Sequence, residues 1–215
     1  MVYDLAPSGE GATKLIRINN DQDHAITLEI TVFERSIAPD GRETRKRADD
    51  DFVIFPPQTI VAPHTLQSVR VRYVGPTNFE STKMYVVSIN QVPVQPEELT
   101  RTGVQFVVDF GTTAYVNPSN SKAALSVATV VPGAKGKVDV TIRNDGNRYA
   151  SISLSKLTVR SGDGRVFDIS GDPLRTAIGL SIVPPNGTRI FHIPAPAGFP
   201  RKGLTGQLDY QPVVQ

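Results

Sequence analysis

The side chains best suited to covalent or metal chemistry are few in this sequence, and they stand apart. Cysteine is absent, which removes thiolate nucleophiles, disulfides and Cys-ligated metals. The three histidines, His24, His64 and His192, are scattered along the chain. A metal site needs clustered donors, so each reads as a turn or surface histidine, and neither a metal nor a cofactor is expected. Asp49, Asp50 and Asp51 form a carboxylate run, but a calcium loop needs spaced ligands and a central glycine. The run reads as a solvated loop, compensated by Arg42, Arg45, Lys46 and Arg47. There is no nucleophile elbow, phosphate-binding loop or dinucleotide fingerprint. Asn186-Gly187-Thr188 has the form of a glycosylation sequon, yet its Asn-Gly pair reads more simply as a turn. The expectation is a protein that is not an enzyme.

What remains is the chemistry of backbone and apolar surface. In Gly103–Phe110, alternation puts Val104, Phe106, Val108 and Phe110 on one face. This is the most apolar alternating strand of the chain, and Pro93, Pro96, Glu97 and Glu98 precede it in a long connection. The plain reading is an ordinary sandwich strand with a buried inner face. Placed at a sheet edge, such a strand is a liability unless something pairs with it. Its physical use would be β-strand addition, in which backbone bonds supply affinity and alternate side chains fill pockets. Before a partner arrives, the edge is expected to be protected by self-association or by the Gln95–Thr102 connection.

The elements that must hold this strand are strands too. Ile26, Leu28, Ile30 and Val32 share a face, as do Val69, Val71 and Tyr73; so do Tyr85, Val87 and Ile89, and Val138, Val140 and Ile142. Between Ala150 and Arg160 the parity slips, which predicts a bulge near Ser155–Lys156. Asp40-Gly41, Asp145-Gly146 and Asp163-Gly164 predict tight turns with positive φ. Gln95–Thr100 and Asp172–Ile178 are the only helical candidates, too short and proline-flanked to matter. With 17 Gly and 17 Pro in 215 residues, turns outweigh helices, and the fold class is all-β. Asn117–Lys122 reads as a short linker between two immunoglobulin-like sandwich domains, residues 1–118 and 119–215. No internal sequence repeat is obvious. The balance of 23 Lys and Arg against 21 Asp and Glu gives no reason to expect nucleic acid. The opening MVYDLAPSG has no secretory leader pattern, which fits either a cytoplasmic protein or one whose leader has been removed.

Six segments in order resemble the periplasmic pilus-assembly chaperones, the PapD-like family of two immunoglobulin-like domains. They are LIRINN at 15–20, DDFVIFPPQTIVAPHTLQSVRVRYVG at 50–75, YVVSINQVPVQ at 85–95, VQFVVDFGTTAYVNP at 104–118, VTIRNDGNRYASISL at 140–154 and LDYQP at 208–212. The resemblance implies donor-strand complementation: the chaperone lends a strand to a pilin subunit whose own fold lacks one, and hands it on at an outer-membrane usher. By position, Val104, Phe106 and Val108 fall on the family's donor residues; Phe110 continues the face by periodicity. Four such side chains would contribute on the order of 6–12 kcal/mol before ordering costs. The family anchors the subunit's terminal carboxylate with an Arg on the first strand and a Lys on the donor strand. Here the second position is Thr113 and Met1–Leu5 has no basic residue; either the arginine lies upstream of residue 1, or another cation such as Lys83 or Arg101 serves, or this is a divergent, archaic-type member with a different anchor. Of the interdomain ion-pair trio, Asp209 and Glu80 match and Asn117 replaces an Arg. The alternative is a two-domain immunoglobulin-like adhesin or structural subunit, in which the apolar strand is simply core.

Overall fold

The computed structural model describes residues 1–92 and 109–212. Two compact units divide the chain: Met1–Arg35, Arg45–Phe79 and Lys83–Ser119 form one, and Ser36–Thr44, Glu80–Thr82 and Asn120–Gln215 the other.

The first unit is a sandwich of the strands β1 (Val2–Leu5), β2 (Thr13–Asn20), β3 (Ile26–Ile37), β4 (Glu43–Arg47), β5 (Phe52–Phe55), β6 (Gln58–Val61), β7 (Thr65–Tyr73), β8 (Lys83–Val92) and β9 (Asp109–Val116). One sheet runs β1-β9-β8-β3-β4 with β6 also on β3; the other runs β2-β7-β5. Alternation sets their inner faces, because residues two apart point the same way. Leu28, Ile30 and Val32 meet Tyr85, Val87 and Ile89 on one sheet, and Val69, Val71 and Tyr73 face them from the other. The Asp49–Asp51 run is more than the solvated loop expected. Asp49 pairs with Arg47, but its Oδ1 also accepts the Val32 backbone N–H at 3.0 Å. Asp51 accepts the Tyr85 hydroxyl at 2.6 Å, and its carbonyl takes the Val74 N–H at 2.8 Å. A short carboxylate reaches backbone donors on neighbouring strands, which is why the run is tied down.

The second unit holds β10 (Leu125–Pro132), β11 (Lys137–Asn144), β12 (Ala150–Ser151), β13 (Lys156–Arg160), β14 (Val166–Ser170), the helix α1 (Gly171–Ile178), β15 (Ile182–Val183), β16 (Gly187–Pro194) and β17 (Thr205–Asp209). Its sheets are β10-β11-β16, β14-β13-β17 and the pair β12-β15. The expected bulge at Ser155–Lys156 is instead a break. β12 pairs with β15, and β13 pairs with β14 and β17. The Ser155 N–H closes a turn on the Ile152 carbonyl at 3.1 Å, so the parity slip marks a change of sheet. The segment dismissed as too short to matter is a real helix: Leu174 is fully buried and Ile178 nearly so in the second core. Gly179, with φ 56°, ends it. The other helical candidate, Gln95–Thr100, lies outside the described residues.

Gly41 and Gly164 have the positive φ expected of their Asp-Gly turns, at 89° and 90°. Gly146 does not. A side chain there would overlap the Lys122 carbonyl, so close approach of two backbones is what requires glycine.

Candidate functional site

The backbone of β9 is the element on which the candidate site is built. Along Asp109–Val116 it pairs antiparallel with β8, from Asn90↔Asp109 to Lys83↔Val116. On its other side β1 pairs in parallel only over Thr113–Val116, and the Thr113 N–H reaches the Met1 carbonyl at 3.0 Å. β9 is therefore not a terminal strand along its whole length, as the sequence suggested. β1 covers the end nearer residue 116, while Asp109–Thr112 has no second strand among the described residues.

The same half of β9 is where the apolar face opens. Thr112, Ala114 and Val116 point inward, the latter two fully buried in the first core. Phe110 has the same parity and sits opposite Ile89, yet it is 61% exposed. Its row-mates Ile89 and Ile30 are buried in the core, so the ring sits on a core-facing register and yet stands in solvent at the side of the sheet. Val104, Phe106 and Val108, which the alternation joins to Phe110, lie outside the described residues, as does Arg101.

Register separates the cations around this strand. Lys83 is opposite Val116, on the parity of the core residues, and its Nζ stands 5.6 Å from the centre of the Phe79 ring. Thr113 belongs to the opposite face, in a cross-strand row with Val86 and Phe33. On that face Met84, Val86 and Tyr115 are also buried. The cation beside Thr113 is Arg35, which the sequence reading missed. Buried on β3, it reaches past β8 to donate from Nη1 to the Thr113 hydroxyl at 3.2 Å. Only the strand order reveals this pair, because the two residues are 78 positions apart.

The other expected site residues are placed as follows. The Asn117 N–H bonds the Leu5 carbonyl at 3.0 Å, and its buried side chain donates to the Tyr115 carbonyl at 3.4 Å. Glu80 is exposed, and its backbone carbonyl accepts from Asn147 at 2.9 Å. Asp209, exposed on β17 opposite Lys156, accepts from the Gln211 side chain at 3.2 Å. Each of these bonds lies within a single unit. Among the described residues, no three His, Asp or Glu side chains converge as metal ligands would.

Residues 7–122 match the family described as pili and flagellar-assembly chaperone, PapD N-terminal domain. The chain belongs to this chaperone family. No curated protein matches it in sequence. Among solved structures, the chaperone is similar to the class 5 fimbriae chaperone CfaA, with TM-score 0.59 and 15% identity over 97% of this chain and 96% of that one. It is also similar to a chain of the CsuC–CsuE chaperone–tip adhesion subunit pre-assembly complex from archaic chaperone-usher Csu pili of Acinetobacter baumannii. There the TM-score is 0.57 and the identity 12%, over 91% and 86% of the two chains. The E. coli chaperone DraB gives 0.54 and 18%, over 92% and 82%. These likenesses extend over nearly the whole chaperone and carry the two-domain immunoglobulin-like fold, which agrees with the all-β reading. Family membership makes this a chaperone of pilus assembly.

Proposed function

We propose that this chaperone acts in the periplasm by donor-strand complementation, capping pilin subunits until an outer-membrane usher receives them. In this reading residues 1–118 form the subunit-binding domain and 119–215 the second immunoglobulin-like domain. Val104, Phe106, Val108 and Phe110 are the side chains offered to the subunit's open groove. The observation that carries the proposal is the open half of β9: among the described residues no second strand pairs with Asp109–Thr112, and Phe110 is exposed on the core-facing parity. An edge of this kind provides backbone donors and acceptors together with an apolar side chain, the two components of strand addition. The fold alone would not assign the role, since immunoglobulin-like sandwiches serve many; family membership supports a chaperone role, and this edge is the surface we assign to it. No enzymatic activity is part of the proposal.

For the subunit's terminal carboxylate, the geometry favours Arg35 over Lys83, because Arg35 lies beside Thr113, the position where the family resemblance expects a lysine. A guanidinium held away from bulk water interacts more strongly with a carboxylate than one in solvent. Periplasmic co-expression with the cognate subunit tests both parts. Phe110→Asp should reduce the co-purified subunit sharply with the melting temperature unchanged. A subunit with its terminal carboxylate amidated should bind the wild-type chaperone more weakly, and Arg35→Met should remove that difference. Unchanged capture by Phe110→Asp would refute the assignment of the edge.

A further inference from the structure

The outer face of the β2-β7-β5 sheet lies in the sheet that does not contain β9, and its composition is unusual. The register sets Phe55, Arg70 and Leu15 in one row across the three strands. Arg72 follows in the next row between Val53 and Thr13, with Arg17 beside Ser68 and Leu66 beside Asn19 in the remaining two. Phe55 is 71% exposed, and Leu66, Leu15 and Val53 are each more than half exposed. None of these ten positions carries an acid.

Four exposed arginines elsewhere on the chain are paired with an aspartate two residues away. Arg42 pairs with Asp40, Arg47 with Asp49, Arg143 with Asp145 and Arg165 with Asp163. Arg17, Arg70 and Arg72 have no such neighbour, and among the described residues none of them has an ion pair. Three uncompensated guanidinium groups set among large apolar side chains make a surface that water serves poorly. Arginine beside apolar groups is also the composition that protein interfaces favour.

We propose that this face docks a protein surface that carries carboxylates set among apolar side chains. Charge complementarity selects that occupant. A second copy of the chain would bring arginines against arginines. An anionic bilayer would find little long-range attraction in a chain whose net charge is only +2. A partner with spaced acids would neutralise all three groups while covering Phe55 and its neighbours.

The test uses the full chain and a random peptide library displayed on phage. Selection should enrich peptides in which Asp or Glu alternates with Leu, Phe or similar residues. A synthetic peptide of the enriched sequence should bind the Arg17→Glu, Arg70→Glu, Arg72→Glu triple variant at least about 30-fold more weakly, and should weaken as salt rises. The triple variant should keep the wild-type melting temperature, since all three side chains are exposed; should it unfold, Arg70→Gln with Arg72→Gln provides the same comparison. Enrichment without acidic residues, or equal binding to wild type and variant, would overturn the proposal. So would sedimentation with phosphatidylglycerol vesicles, or concentration-dependent dimerisation, that the triple variant abolishes.

Discussion

Asn20 and Asn144 show how much a single buried amide organises in each unit. Asn20 is 1% exposed and donates to the carbonyls of His24, Val61 and Ala62. Asn144, wholly buried, donates to Arg148 and Pro184 and accepts from Ala124 and Gly146. Each side chain therefore fastens the end of one strand to the turn that starts another. Replacing either with alanine leaves several buried backbone groups without partners, so Asn20→Ala and Asn144→Ala should each cost about 2–4 kcal/mol. Urea denaturation would measure this, and the exposed Asn19→Ala should change little. The sequence reading did not single out these two asparagines, because their partners come from distant turns; the inner faces of β7 and β11 could be read because alternation is local. Asp168 offers a pH test at the same scale. Its hydrogen bond from Lys156, then that from Thr158, holds its carboxyl below the usual range. A depressed folded value contributes stability above the unfolded pKa of about 3.9 and loses it as pH falls through the folded value. Asp168→Asn should flatten the stability curve across that acidic window and leave it parallel to wild type at neutral pH.

At the level of elements, strands with one buried face were legible and the exceptions were not. Val69, Val71 and Tyr73, or Val138, Val140 and Ile142, announce their inner face by period alone. The α1 helix, eight residues long with Pro173 inside it, carries too little periodicity to declare itself. It forms because Leu174 and Ile178, four residues apart, bury one stripe against the second core. Leu174→Ala should destabilise the protein by about 2–5 kcal/mol, and thermal melting would show it; no loss would mean the helix is dispensable. The change of sheet between β12 and β13 was likewise visible only as a slip in parity, since a bulge and a break disturb alternation alike. Each unit, for which the sequence reading found no repeat, holds a turn of the same form. Pro63-His64 and Pro185-Asn186 each put a positive φ, 53° and 49°, just before or at the start of a strand, beside the carbonyls that Asn20 and Asn144 hold.

For the whole molecule, the central claim is that one apolar face serves a partner rather than the chaperone's own core. Family membership and an all-β architecture are compatible with either use of that face, and the exposure of Phe110 is what favours the partner. The decisive measurement is thermal stability and subunit co-purification on the same set of variants: Phe106→Asp, Val108→Asp and Phe110→Asp, with Gln105→Asp as the control of opposite parity. A carboxylate buried without a partner in the subunit groove would cost several kcal/mol, more than capture should tolerate. The account predicts that the three face variants keep the wild-type melting temperature and lose the subunit, while Gln105→Asp retains both. A sharply lowered melting temperature for Phe106→Asp in the free chaperone, or undiminished capture by all three, would contradict it.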